Sequence, residues 1–271
     1  MSNKVLFIMI DGCRPDALQQ ANTPNLKDLW QTGAYTWTAR SVMPSVTLPC
    51  HNSMFRGVDP ARHGIGPDNV FRSSALAFPS LLDVAAMGNK HNAIFYSWEQ
   101  LRDLGAPGSL KMSYCRSADY GADNDTPVAQ MAADYLVTEQ PDFCFLYLGD
   151  VDIHGHMYGW MSPEYMNAIE INDRAVGIVM DRLQEAGLRN SYTILVQADH
   201  GGHDTDHGTD MPEDMLIPWI LNGVGIKKGY ALQSPVGLVD TTATIAHLLG
   251  ITAPPEWEGS PVMEAFVNGQ G

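Results

Sequence analysis

Cysteine is sparse in this chain. It has four in 271 residues, Cys13, Cys50, Cys115 and Cys144, with no Cys-x-x-Cys pair. That spacing excludes a thiolate metal knot and a disulfide framework, and it fits a reducing compartment in which all four are small buried hydrophobes. Basic residues are also few: 16 Lys and Arg face 31 Asp and Glu, a formal net charge of -15. Such a field repels duplex nucleic acid. Long apolar runs are missing, since no stretch approaches the ~18 residues that cross a bilayer. The opening run Val5-Leu6-Phe7-Ile8-Met9-Ile10, after Met1-Ser2-Asn3-Lys4, ends at Asp11-Gly12, not at a small-residue cleavage site. No membrane contact and a cytoplasmic location are therefore expected. Linkers, charge blocks and repeats are absent too, so one domain over residues 1–271 is expected, with 45% hydrophobic residues to fill its core.

What is present alternates between strand and helix. Lys4–Ile10 reads as a strand buried on both faces. Thr23-Pro24 opens a helix to about Gln31, with the threonine as cap. Residues 34–42 read as extended. Thr47–Arg56 reads as a helix that begins at the threonine and stops at Gly57. Helices follow over 79–87, 126–139, 162–186 and 238–249, and strands over 92–97, 142–148, 192–197 and 218–221. Residues 101–125, rich in Gly, Ser and Asp, read either as a substrate-facing insertion or as a solvated loop. Aromatic residues over 95–120 either stack on a base or fill a minor core. The alternation predicts an α/β fold: three α/β/α layers with a mostly parallel central sheet, whose ligands gather beyond the C-terminal strand ends.

Three strand ends release the same chemistry. The first delivers Asp11; the second delivers Asp150, Asp152, His154 and His156; the third delivers Asp199, His200, His203 and His207. Singly, an Asp after a strand is a turn former and a lone His a hydrogen-bonded side chain. Together, five of the nine histidines fall in two loops that follow strands. Asp and His without Cys suit zinc or manganese. Divalent cations would also let a small phosphate approach so acidic a chain.

Six segments stand in a fixed order: Asp11-Gly12; Met43-Pro44-Ser45-Val46-Thr47-Leu48-Pro49-Cys50-His51; Arg62-His63-Gly64-Ile65 followed by Asn69; Asp152-Ile153-His154-Gly155-His156; Asp199-His200-Gly201; and His207-Gly208 followed by Met215 and Pro218-Trp219-Ile220-Leu221-Asn222-Gly223. The series resembles the nucleotide pyrophosphatase/phosphodiesterases of the alkaline phosphatase superfamily. The resemblance implies an alkaline-phosphatase-like core and two divalent metals, zinc with manganese as the alternative. Asp11, Thr47, Asp199 and His200 would hold one metal, and Asp152, His156 and His207 the other. Thr47 would be the nucleophile at its helix start, with Ser45 as the alternative hydroxyl. Asp150 competes with Asp152 and reads as a cap or indirect support. His203 competes with His207, His154 faces substrate or solvent, and His63 reads as structural. Asn69 is either a donor to a phosphoryl oxygen or a turn residue before Val70-Phe71. The implied activity is hydrolysis of phosphate esters, foremost phosphodiester or nucleotide pyrophosphate bonds, through a phosphothreonine. The alternatives are a phosphomonoesterase or a phosphonate or sulfate ester hydrolase, although the Cys-x-Pro-x-Arg context of sulfatases is lacking. A non-catalytic metal-binding protein would not need Thr47. The expected partner is a small phosphate ester or nucleotide, and the oligomeric state is left open.

Overall fold

The computed structural model describes residues 4–119 and 122–267. Residues 1–3, and residues 120 and 121 of the 101–125 segment, lie outside them. The strands are β1 (Lys4–Ile10), β2 (Ala34–Arg40), β3 (Asn92–Tyr96), β4 (Met112–Cys115), β5 (Phe143–Leu148), β6 (Tyr192–Gln197), β7 (Leu216–Asn222) and β8 (Tyr230–Ala231). Among the described residues they form one sheet in the order β4-β3-β5-β1-β6-β7-β2-β8. Pairing is parallel except along β7, which runs against both β6 and β2. The helices are α1 (Pro15–Gln20), α2 (Pro24–Gln31), α3 (Thr47–Arg56), α4 (Pro60–His63), α5 (Leu81–Met87), α6 (Asp125–Thr138), α7 (Asp150–Tyr158), α8 (Pro163–Glu185), α9 (Pro212–Met215) and α10 (Asp240–Leu249).

Two helix groups cover the sheet. Helices α3, α5 and α10 pack together on one side, and α2, α6 and α7 pack against α8 on the other. This is the expected three-layer arrangement. Its centre is β1, flanked by β5 and β6, where each of Val5 to Ile10 is at most 1% exposed. Phe55 of α3 seats its ring 4.9 Å from Phe145 and 6.4 Å from Phe7. Truncating a buried ring of this kind costs about 3–5 kcal/mol, so this contact helps fix α3 over the sheet. Gly57 and Gly250 close α3 and α10 in the left-handed conformation, with φ of 64° and 65°, as the sequence leads one to expect.

Several elements differ from expectation. Thr23 makes no capping bond. The first turn of α2 is capped from across the layer, because the Asp173 carboxylate on α8 accepts from Asn25 N and Leu26 N. The 101–125 segment carries β4, an edge strand paired with β3. Cys115 on that strand is exposed, while the other three cysteines are buried. The segment after β5 is no loop but α7, so Asp152 and His156 stand one helical turn apart. Among the described residues no helix is long and apolar enough to cross a membrane.

Candidate active site

The three middle strands β5, β1 and β6 end side by side, and their C-terminal extensions meet α3. Two groups form there: Asp11, Asp199 and His200, and Asp152, His200 and His207; within each group the ligand atoms lie within 4.8 Å of one another. His200 Nε2 is 3.3 Å from Asp11 Oδ1 and 3.5 Å from Asp199 Oδ2. Thr47 Oγ1 is 3.2 Å from the same nitrogen. His156 Nε2 lies 3.5 Å from Asp152 Oδ2 and 3.1 Å from His207 Nε2. His207 Nε2 lies 3.7 Å from Asp152 Oδ1.

These spacings carry a test. Donors bound at about 2.0–2.1 Å in a tetrahedron stand roughly 3.3–3.4 Å apart. Hydrogen-bonded pairs are closer, about 2.7–3.0 Å. The three contacts on His200 and the one between His156 and Asp152 fall near the first value; His156–His207 at 3.1 Å is shorter and His207–Asp152 at 3.7 Å longer. The imidazoles agree. His156, His200 and His207 each donate Nδ1–H to a backbone carbonyl, of Thr205, Gly201 and Ser45 at 2.9, 2.8 and 2.9 Å. In the neutral rings every Nε2 is then a lone pair turned inward. The facing lone pairs of His156 and His207 repel unless a cation lies between them. Burial, then His200, pushes the His207 pKa down to about 4, and burial lowers His200. Both rings are therefore neutral at pH 7 and able to act as ligands.

The carboxylates tell the same story. Asp11 Oδ1, Asp152 Oδ1 and Asp199 Oδ2 are buried without a hydrogen-bond donor among the described residues. Such oxygens are rare and need a compensating charge. Burial, followed by the charges of Asp199 and Asp152, raises the Asp11 pKa well above the ordinary value. Burial would raise Asp199 as well, but His200 and His51 beside it hold it below the carboxylate range. The residues present thus fit two divalent cations.

Thr47 opens α3, a ten-residue helix. Pro49 has no N–H, Cys50 N bonds Val46 O, and Leu48 N donates to Asn69 Oδ1 at 2.9 Å. The Thr47 N–H is left as the open donor of this first turn among the described residues. The turn reading of Asn69 is met, with φ 53°; its oxygen caps α3, and its Nδ2 makes no hydrogen bond among the described residues. A cavity of about 230 Å³ is lined by Thr47, Asn69, Ser97, Trp98 and Tyr147 together with Asp11, Asp152, His156 and His207, which brings the residues after β3 and residue 118 of the 101–125 segment to its wall. A larger cavity of about 370 Å³ beside Arg14 and Trp37 holds none of these ligands, so donor chemistry rather than volume locates the site.

The competing residues are spoken for. Ser45 Oγ donates to Thr209 O at 2.8 Å. Asp150 accepts from Asn124 and Asp125 at the start of α6. His203 pairs with Asp214 at 2.8 Å, and His154 donates to Asp150 O. His63 is buried, with Nδ1 accepting from Ile65 N and Nε2 beside Ser53 Oγ.

Three neighbours escaped the sequence reading. Tyr147 OH donates to Asp11 Oδ2. His51 Nδ1 lies 2.8 Å from Thr47 O and 3.4 Å from Asp199 Oδ2; its position four residues after Thr47 on α3 was the available signal. Trp160 donates Nε1–H to Gly12 O at 2.9 Å. It is wedged where a Cβ on Gly155 or Gly202 would come within 2.6 or 2.2 Å, and it presents its face or edge to His156 and His207 at 5.1 and 5.8 Å.

Comparison with known proteins bears on the same region. The sequence profile of type I phosphodiesterase / nucleotide pyrophosphatase matches residues 5–220. Ectonucleotide pyrophosphatase/phosphodiesterase family member 3 of Bos taurus is 27% identical over 220 residues, covering 74% of this chain and 25% of its own length. Venom phosphodiesterase of Macrovipera lebetinus is 27% identical over 216 residues, covering 73% and 25%. The chain thus spans about a quarter of the length of the curated relatives it matches. Among solved structures, murine ectonucleotide pyrophosphatase/phosphodiesterase 5, an inactive variant in complex with AMP, superposes with a TM-score of 0.82 at 15% identity, over 98% of this chain and 100% of that one.

Proposed function

This chain belongs to the type I phosphodiesterase / nucleotide pyrophosphatase family, and on that premise we propose that it is a metal-dependent hydrolase of phosphodiester or nucleotide pyrophosphate bonds with Thr47 as its nucleophile. The observation that carries this reading is the Thr47 hydroxyl, 3.2 Å from His200 Nε2 within a set of donor atoms spaced as a coordination shell. Asp11, Thr47, Asp199 and His200 would hold one cation, and Asp152, His156 and His207 the other. Zinc suits these oxygen and imidazole donors, with manganese as the alternative. When bound, the cations lower the pKa of the hydroxyl and offset phosphate charge.

The chain's own groups do the rest. The Thr47 oxygen bonds to phosphorus as the bond to the leaving oxygen breaks. Its proton is lost to solvent, and water later cleaves the phosphothreonine. The Thr47 N–H and Asn69 Nδ2 face the non-bridging oxygens, where developing charge is best met by fixed donors. His51 and Tyr147 orient Asp199 and Asp11. A small nucleotide or phosphate ester is the substrate, and residues 1–271 act as one catalytic domain, supported by the continuous core on both faces of the sheet.

The test is turnover of bis-p-nitrophenyl phosphate against p-nitrophenyl phosphate with added zinc or manganese, for wild type and Thr47→Ala. Preference for the diester, lost in Thr47→Ala while metal stays bound, supports the reading. Preference for the monoester moves the function to a phosphatase on the same site. Unchanged turnover in Thr47→Ala refutes the nucleophile.

A further inference from the structure

Helices α6 and α7 begin against each other, each capped by the other's first residue. Asp125, the first residue of α6, accepts from Gly149 N and Asp150 N, both at 2.8 Å. Asp150, the first residue of α7, accepts from Asn124 N at 2.8 Å, Asp125 N at 3.2 Å and Asn124 Nδ2 at 2.7 Å. Asp125 is fully buried and Asp150 is 3% exposed, so water cannot replace either carboxylate at these donors. This joint carries a load that the rest of the site does not share. Asp11, Asp199 and His200 stand within three residues of strands held by sheet ladders on both sides, whereas Asp152 and His156 stand four and eight residues beyond β5, itself held on both sides, with the start of α7 between. Asp152 and His156 sit on α7, whose opening N–H groups have Asp125 as their acceptor. Asp152 is also packed tightly: a Cβ on Gly12 would lie 2.9 Å from its Oδ1 and 3.1 Å from its Cα. A small slip of α7 therefore moves a ligand against a fixed wall.

We infer that Asp125 is a positioning residue for the second cation, holding α7 in the register that brings Asp152 and His156 to His207. This rests on the dinuclear reading above. Removing its carboxylate leaves two buried donors open and frees the first turn of α7, and partners that orient ligands from behind typically change metal affinity 10- to 100-fold.

The experiment is zinc titration of the full chain against a chromogenic chelator. Wild type is expected to show two sites. Asp125→Ala is expected to keep one and to weaken the other 10- to 100-fold. Asp134→Ala removes the same charge from the exposed side of α6, where Asp134 meets Arg182, and is expected to leave both sites unchanged. In a His207→Ala background the Asp125 substitution should cost nothing further, because both act on one cation. Equal weakening of both sites, or none, in Asp125→Ala overturns the inference. Should Asp125→Ala fail to fold by circular dichroism, Asp125→Asn takes its place: one acceptor oxygen remains, several-fold weakening of a single site is expected, and wild-type affinity overturns the inference. A wild-type chain with fewer than two sites overturns the dinuclear reading and this inference with it.

Discussion

The two halves of the site are built from different material. Asp11, Asp199 and His200 are fully buried, stand at the ends of adjacent strands, and have side chains at most 1% exposed. Asp152, His156 and His207 come from a helix and a loop, with side chains 15%, 40% and 8% exposed. The proposed nucleophile, Thr47 at the start of α3, meets the rigid half through His200, and on the proposed reading the open half faces the solvent that supplies water and receives the leaving group. A strand end pinned by ladders sets a geometry to fractions of an ångström, which in-line attack requires. A helix end can yield slightly, which suits entry and exit. The first cation is thus expected to be held permanently and the second to exchange.

The largest expected effect attacks the rigid half. Asp199→Asn removes the charge of a proposed ligand, whose carboxylate accepts from Gly12 N and His200 N and faces His51. Turnover should fall roughly a thousandfold or more, and excess zinc should not restore it. Restoration by zinc would erase the distinction between the halves. Next comes Asn69, whose oxygen caps α3 and whose Nδ2 is the proposed donor to the phosphoryl group. Asn69→Asp keeps an acceptor for Leu48 N but loses the Nδ2 donor, so kcat should drop about a hundredfold with the melting temperature nearly unchanged. Asn69→Ala should lose the same activity and also about 1 kcal/mol of stability. Equal melting curves for the two variants would show that the cap does not matter. In the open half, His156→Ala should weaken one cation about 10- to 100-fold and recover activity as zinc is raised.

The rigid half was the more legible in the sequence, for a physical reason. Apolar runs such as Lys4–Ile10 and Tyr192–Gln197 mark buried strands, and the residue after such a run sits at the crevice, so Asp11 and Asp199-His200 could be placed directly. The place of Thr47 at the start of α3 was legible because Gly57 ends a helix that a threonine begins. Asp152 and His156 were found in sequence but assigned to a loop, because Gly149 and Gly155 read as loop residues although α7 contains the second of them. Long-range partners were hidden altogether: nothing local marks Asp173 as the cap of α2, Asp125 as the cap of α7, or Tyr147 as the donor to Asp11. Each needs two segments more than 20 residues apart to meet, and no periodicity encodes that meeting.

The smallest expected effect concerns pH, where the carboxylates and imidazoles pull in opposite directions. Burial and the charges of Asp199 and Asp152 raise Asp11 in the folded metal-free chain, and burial raises Asp152. A raised folded pKa gives stability that is present at low pH and lost as pH climbs through that pKa. Burial lowers His207 from 6.5 to about 4, which gives stability that is present above pH 6.5 and lost as pH falls toward 4. A cation cancels the carboxylate repulsion. As pH falls it must increasingly displace carboxylate protons, while His207 stays neutral until about pH 4. Asp11 and Asp152, rather than His207, are thus expected to set the acid limit. The gain in melting temperature on adding zinc to chelator-treated protein should be larger at pH 8 than at pH 5, by about 5 °C for a 1–2 kcal/mol difference in a chain of this size. Asp11→Asn, which cannot titrate, should flatten that dependence. A gain that is equal at the two pH values, or larger at pH 5, would mean that the buried carboxylates are not the groups the cations relieve.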